Sequence, residues 1–187
     1  AGVNPCAEEP LPAGGSCLLG SINLSEFVVN PFTENAFFDF DAFRKCVQAS
    51  VRALNEVLGE GLELHPLPEQ RESVAKWRQI GLGIMGLADA MIKLGIIYGE
   101  AEAVEISDKI GFAMADAAVY ASALLAKEKG AFPACNVEEI METPYFKANT
   151  TEKTAEVVRK YGLRNSQLLT IAPTGTLSTM LGISGGI

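Results

Sequence analysis

Histidine is nearly missing from this chain of 187 residues; His65 is the sole one. With one imidazole, a His-based metal centre or a Ser-His-Asp triad lacks its main component. His65, set between Leu64 and Pro66, is given no role. Basic residues are short as well: 15 Lys and Arg face 23 Asp and Glu, a formal net charge of −8. No Lys/Arg-rich stretch interrupts that balance, so the phosphate-neutralising footprint of a nucleic-acid-duplex binder is missing. A free nucleotide stays open, because backbone amides and a few hydroxyls can hold phosphate locally. No uninterrupted apolar run reaches the roughly 18 residues of a membrane span, and no basic segment followed by an apolar one opens the chain as a signal peptide would. The cysteines Cys6, Cys17, Cys46 and Cys135 have neither zinc-site spacing nor the density of a secreted disulfide scaffold. That usage points to the cytoplasm and to reduced or catalytic thiols. No Pro- or Gly/Ser-rich linker and no internal repeat divides the chain, so residues 1–187 read as one unit. Both ends read as cuts within a longer protein: the chain opens inside a motif and closes on Gly182-Ile183-Ser184-Gly185-Gly186-Ile187.

What is present is a globular composition, 48% hydrophobic and 20% charged. Residues 1–16 hold Pro5, Pro10, Pro12, Gly14 and Gly15, an ordered-loop composition that excludes a helix. Residues 17–29 read as a buried strand that then turns. Asp39 is a plausible N-cap for a helix to about Leu58, with Phe40, Phe43, Val47, Val51, Leu54 and Leu58 on one face and Gly59 and Gly61 stopping it. A second helix covers about Glu69 to Arg78. The longest helical stretch runs from Glu100 to Lys129, and a shorter one from Thr151 to Tyr161 ahead of Gly162. Gln167 to Ile171 reads as a buried strand delivering Ala172-Pro173-Thr174-Gly175-Thr176 at its carboxyl end. Strand, helices, strand gives an α/β class in which helices dominate.

Chemistry at sulfur needs a thiol held rigidly near a group that can move a proton. The loop Asn4-Pro5-Cys6-Ala7-Glu8 offers one on a Pro-stiffened segment. If the segment is extended, residues two apart share a side, and Asn4, Cys6 and Glu8 converge on one ligand. The same pattern also suits a loop cysteine beside a surface glutamate. Cys17, on the following strand, can fold back into the same cavity or serve as a small buried apolar residue. Cys46 belongs to a helix core and Cys135 to a loop. Pro173-Thr174-Gly175-Thr176, after an apolar strand, offers unpaired amides and hydroxyls to a phosphate, though it lacks the lysine of a P-loop. Gly81-Leu82-Gly83-Ile84-Met85-Gly86 matches the dinucleotide fingerprint letter for letter. The residues before it, Glu72 to Gln79, are polar and helix-like where that fingerprint requires a strand. Its glycines are therefore expected to let a helix pack closely. A nicotinamide-binding module and a non-catalytic helical interaction domain are the alternatives in play.

Four blocks taken together resemble the large catalytic chain of ribonucleotide reductases: Asn4-Pro5-Cys6-Ala7-Glu8, Ser16 to Leu24, Arg78 to Asp89, and Ile171 to Thr176. The resemblance runs from first residue to last. It implies a helix-rich part of a ten-stranded α/β barrel with a central finger loop over residues 1–16, and a strand with a phosphate-binding loop over 167–187. It further implies that Cys6 is the thiyl radical that removes the ribose 3′ hydrogen, that Glu8 is general base on the 3′ hydroxyl, and that Asn4 hydrogen-bonds the substrate. Cys17 is then one member of a redox pair, and Pro173, Thr174, Gly175 and Thr176 hold the substrate's phosphates. Ala7 stands where many members have glycine, and Cys17-Leu18-Leu19 replaces a commoner Cys-Asn-Leu. The wording is similar to the adenosylcobalamin-dependent (class II) branch; a radical from a separate metal-bearing small subunit is the alternative. A ribonucleotide substrate, a thioredoxin-type reductant acting through cysteines beyond this chain, and a homodimer are the implied partners. The second redox cysteine and the allosteric region are expected before Ala1, which makes the piece alone inactive.

Overall fold

A short antiparallel hairpin opens the computed structural model, which describes residues 2–187: β1 (Gly2–Val3) pairs with β2 (Pro10–Leu11). Ala1, the first residue of the expected finger loop, lies outside the described residues. Then come β3 (Leu18–Asn23), a 3-10 turn over Leu24–Phe27, and the small antiparallel pair β4 (Val28–Val29) and β5 (Phe37–Phe38). Helix α1 (Phe40–Gly61) begins where its capping residue predicts, because the Asp39 carboxylate accepts the backbone N–H groups of Asp41 and Ala42. It runs through Gly59 rather than stopping there. Helix α2 (Pro68–Trp77) leads to strand β6 (Ile80–Met85), followed by α3 (Leu87–Leu94) and the long α4 (Ala101–Lys129). Three short helices are absent from the sequence expectations: α5 (Val137–Glu142) and α6 (Pro144–Asn149), which precede the expected α7 (Glu152–Tyr161), and α8 (Gly175–Leu181), which stands within the expected phosphate-binding loop.

The centre of the fold is a parallel arrangement. β3 pairs with β6 in a register from Leu18 opposite Ile80 to Asn23 opposite Met85, and α1 and α2 form the crossover that parallel strands require. On the other side of β6 lies the segment 167–171. It bonds through Ile80 N to Gln167 O at 3.1 Å, Leu82 N to Leu168 O at 2.8 Å, and Thr170 N to Leu82 O at 3.1 Å. The strand expected there is thus an extended segment with one parallel bridge, Leu82 to Leu169.

One expectation is overturned. Residues 80–85 are not a helix but a strand buried on both faces. Such a strand shows a continuous run of apolar and small residues with no alternation, and the glycines in it are there for close approach. A β-carbon on Gly83 would lie 2.4 Å from the Thr170 carbonyl oxygen, and one on Gly81 would lie 2.6 Å from Thr170 Cγ2 and 2.8 Å from Cys17 Sγ. The dinucleotide reading fails for the same reason. Its glycines belong in a turn after a strand, whereas Gly81 and Gly83 are inside one, and the space over Gly86 is filled by Asn23 Oδ1.

Helices α1 and α4 pack across this core. Phe43, Val47 and Val51 of α1 are fully buried with Ala113, Ala118 and Ala123 of α4, and burying a side chain such as Phe43 contributes about 1.5–3 kcal/mol. By length and composition α4 could cross a bilayer; most of its apolar window is buried in the protein, as in a core helix. A buried polar knot fixes the start of the third extended segment. Asn165 donates to the Arg78 carbonyl at 2.9 Å, and Ser122 Oγ accepts the Arg164 and Asn165 amides, both at 3.1 Å. Arg78, in left-handed backbone at φ 49°, places its guanidinium on Asn55 at 3.1 Å. Burial and the charge of Arg164 lower its pKa to about 10.

The close approach has a direct test in the full-length protein. Gly83→Ala should lower stability by about 1–3 kcal/mol through overpacking against backbone. Gly111→Ala, mid-helix with open space around it, should raise stability by up to about 1 kcal/mol. Denaturant midpoints check both.

Candidate functional site

The hairpin β1–β2 presents a tight turn at its tip. Asn4 N donates to Glu9 O at 3.1 Å and Ala7 N to Asn4 O at 2.8 Å, with Ala7 in left-handed backbone at φ 59°. That conformation costs an L-residue about 1–2 kcal/mol, which is why glycine suits the position. The expected extended alternation over residues 4–8 is therefore corrected: the chain turns, and the turn brings the groups together. Asn4 Nδ2 donates to Glu8 Oε1 at 3.1 Å, and Cys6 is exposed at the tip.

Two contacts anchor this tip to the core. The Thr170 hydroxyl donates to the Glu8 carbonyl oxygen, tying the turn to the third extended segment. Beneath it, the Cys17 thiol donates to Glu9 Oε2. Burial pushes the Cys17 thiol well above its ordinary range, and the Glu9 hydrogen bond and the charges of Glu9 and Glu8 act in the same direction. Burial raises the Glu9 carboxyl too, opposed by the Cys17 bond and reinforced by Glu8.

A cavity of about 590 Å³ lies beside the tip, where the chain leaves the carboxyl ends of β6 and the third segment. Ligands bind at that end of open parallel sheets. Its wall joins Cys6 and Glu8 to Leu87, Tyr98, Pro173 and Gly185. Glu8 Oε2 is buried without a partner. The final segment is laid along the wall by Gly186 N to Pro173 O at 3.3 Å, Gly86 N to Ser184 O at 2.9 Å, and Ser184 N to Asp89 Oδ2 at 2.7 Å.

Of the site residues read from sequence, Cys6, Glu8 and Pro173 thus share one cavity, and Asn4 joins them through Glu8. Thr174, Gly175 and Thr176 follow Pro173 at the start of α8, outside the wall itself. Thr174 is left-handed at φ 53°, and the first bond within the helix is Ser178 N to Thr174 O at 2.7 Å. The amides of Gly175, Thr176 and Leu177 therefore precede the intrahelical ladder. Cys17 is not in the wall; it lies beneath the hairpin against Glu9 and Gly81. Cys46 is half-buried in α1 and Cys135 half-buried in its loop. Sequence reasoning missed Glu9, Tyr98 and the 184–186 wall. For the last, the glycine-rich apolar end was an available signal.

The chain matches the family model "Ribonucleotide reductase, barrel domain" over residues 1–187. It is 40% identical over 185 residues to a vitamin B12-dependent ribonucleoside-diphosphate reductase of Thermoplasma acidophilum, covering 99% of this chain and 21% of that protein. A protein of the same name from Mycobacterium tuberculosis is 35% identical, with 99% and 23% covered. A ribonucleoside-diphosphate reductase subunit alpha of Chlamydia pneumoniae is 33% identical over 192 residues, with 91% and 18% covered. The chain spans about a fifth of the length of these relatives.

The surroundings of Cys17 fix a pH response. The folded chain holds it as the thiol while the unfolded chain ionises near pH ~8.5, so this contribution to stability is full below that pH and is lost as pH rises above it. Iodoacetamide at pH about 8 should accordingly label Cys17 of the native full-length protein at least ~10-fold more slowly than in denaturant. Equal rates, read by peptide mass mapping, would contradict the contact with Glu9.

Proposed function

Because the chain belongs to the ribonucleotide reductase barrel-domain family, we propose that it is the part of a large catalytic chain that reduces ribonucleotides to 2′-deoxyribonucleotides. The observation that carries this reading is the state of Glu8. One carboxylate oxygen is held by Asn4, and the other is a buried acceptor without a partner in a cavity that also exposes Cys6. A substrate hydroxyl would satisfy that oxygen with the sulfur alongside.

In this reading residues 1–16 are the finger loop at the centre of a ten-stranded barrel, and residues 167–187 supply a barrel strand and the phosphate loop. Glu8 takes the proton of the ribose 3′ hydroxyl as Cys6, in its thiyl form, removes the 3′ hydrogen atom. Asn4 holds the Glu8 carboxylate in register and contributes a donor beside it. Pro173, Thr174, Gly175 and Thr176 form the phosphate seat, in which the amides of Gly175 and Thr176 in the first turn of α8 and the Thr176 hydroxyl are the donors and Pro173 shapes the approach. Cys17 and a cysteine outside this chain are oxidised from two thiols to one disulfide. Of the two thiol hydrogens, one ends on the 2′ carbon and the other in the water formed from its hydroxyl. Cys6 then returns the hydrogen atom to the 3′ carbon, regaining its thiyl form, and Glu8 returns the proton to the 3′ oxygen. A thioredoxin-type protein restores the dithiol through cysteines elsewhere in the full protein, which we place in the cytoplasm and read as a homodimer.

The similarity to vitamin B12-dependent relatives favours adenosylcobalamin over a metal-bearing small subunit as the radical source. Cys6 shares its cavity with the apolar Leu87 and Ala88 and the aromatic Tyr98, surface of the kind a nucleoside packs against. The wall residues Leu87, Ala88 and Tyr98 would hold the adenosyl part. When bound, adenosylcobalamin supplies the radical that Cys6 takes up.

With full-length protein, adenosylcobalamin and a dithiol, Cys6→Ala should abolish deoxyribonucleotide formation while leaving the thermal midpoint in place. Glu8→Gln should lower kcat by roughly 10²–10⁴, the usual worth of a general base. Turnover surviving in Cys6→Ala would overturn the assignment.

A further inference from the structure

Glu9 is fully buried, at 0% exposure, and it is the one acidic side chain among the buried residues described. No cation meets it. Its Oε2 takes the Cys17 thiol, and its Oε1, also buried, has no partner. Leaving a carboxylate in such a place is expensive unless the charge is lost or shared. Among the described residues, the only hydrogen brought to it is that of Cys17. Backbone on both sides fixes the pair: Glu8 O is held by the Thr170 hydroxyl, and Cys17 Sγ is pressed over Gly81, where a β-carbon would come within 2.8 Å. The charged groups acting on Cys17 are Glu9 and Glu8. Its neighbours on β3, β6 and the third segment, Leu19, Gly81 and Thr170, are uncharged.

We propose that Glu9 is a positioning residue for Cys17: its buried carboxyl fixes the sulfur beneath the hairpin and keeps it as the protonated thiol at neutral pH. A thiol that must later be oxidised with a partner cysteine is thereby guarded from stray thiolate chemistry, because only the thiolate attacks electrophiles and disulfides. Burial raises both groups, while the bond between them raises the thiol and lowers the carboxyl, as one proton held between sulfur and oxygen requires. The purpose assigned to this pair rests on the reductase reading; the coupling of Glu9 to Cys17 does not.

The test is the pH profile of alkylation at Cys17, read by peptide mass mapping on the full-length protein, with Cys46 as internal control. In the wild type the midpoint should lie above that of a free cysteine. Glu9→Gln should move it down by at least ~1 pH unit, about a 10-fold faster reaction at pH ~8, with Cys46 unchanged. Glu9→Asp, which keeps the carboxyl, should fall between the two. An unmoved profile in Glu9→Gln overturns the proposal, and so does equal acceleration at Cys46, which would mark general loosening. Should Glu9→Gln not fold, the wild-type profile decides alone, since an ordinary cysteine midpoint refutes the proposal. The reductase reading fails separately, through turnover in Cys6→Ala, and that result leaves the alkylation profile intact.

Discussion

At Gly81 and Gly83 three extended segments come closer than any side chain would allow, and the rest of the site is arranged around that closeness. A β-carbon at Gly83 would fall 2.4 Å from a backbone oxygen of Thr170, and one at Gly81 would strike both Thr170 and Cys17. With those atoms absent, Thr170 reaches past β6 and gives its hydroxyl to the Glu8 carbonyl. One hydrogen bond to a backbone oxygen then sets the height of the turn that carries Cys6. The same gap seats the Cys17 sulfur under Glu9. Two glycines in a buried strand thus fix a hairpin far from them in sequence, through packing rather than through turn geometry.

Much of the helical frame is legible in the sequence because its signals are local. Asp39 at a helix start, the spacing of Phe43, Val47 and Val51, and Gly130 and Gly162 just beyond helix ends each act within a turn or two. Strand β6 was misread because the deciding information is not local. Polar helix-like residues precede it, and its glycines satisfy a motif whose context is absent. The run Ile80-Gly81-Leu82-Gly83-Ile84-Met85 lacks any 3.6-residue period, and for a strand buried on both faces that lack is itself the signal. The helices α5 and α6 are each only 6 residues long, too short for periodicity to register.

The site was legible in kind but not in shape. Asn4, Cys6 and Glu8 were singled out by their residue types, and the cavity holds two of them with the third bonded to Glu8. The stated reason, alternation along an extended chain, does not apply, since Pro5 to Ala7 turn and Ala7 adopts φ 59°. Turn and strand can produce the same convergence, and a two-residue spacing alone does not distinguish them. Glu9 was invisible for a different reason. Acidic residues are rarely buried, so a pattern reading assigns the second of two adjacent glutamates to solvent. Only the placement of Cys17 beneath the hairpin gives that carboxyl a partner.

The pair Glu8–Glu9 then shows how one short turn can set two environments on consecutive residues. Glu8 faces the cavity, with Asn4 on one oxygen and an open acceptor on the other. Glu9 faces the interior, against a thiol, with no cation among the described residues to neutralise it. Burial raises the titration of Glu9, the carboxyl that faces the interior. The charge of Glu8 also helps to raise Glu9, so the acid that lines the cavity holds its neighbour nearer the neutral form. The turn therefore does more than display a cysteine. By pointing adjacent carboxyls to opposite sides, it separates the carboxyl that lines the cavity from the carboxyl that accepts the Cys17 hydrogen bond.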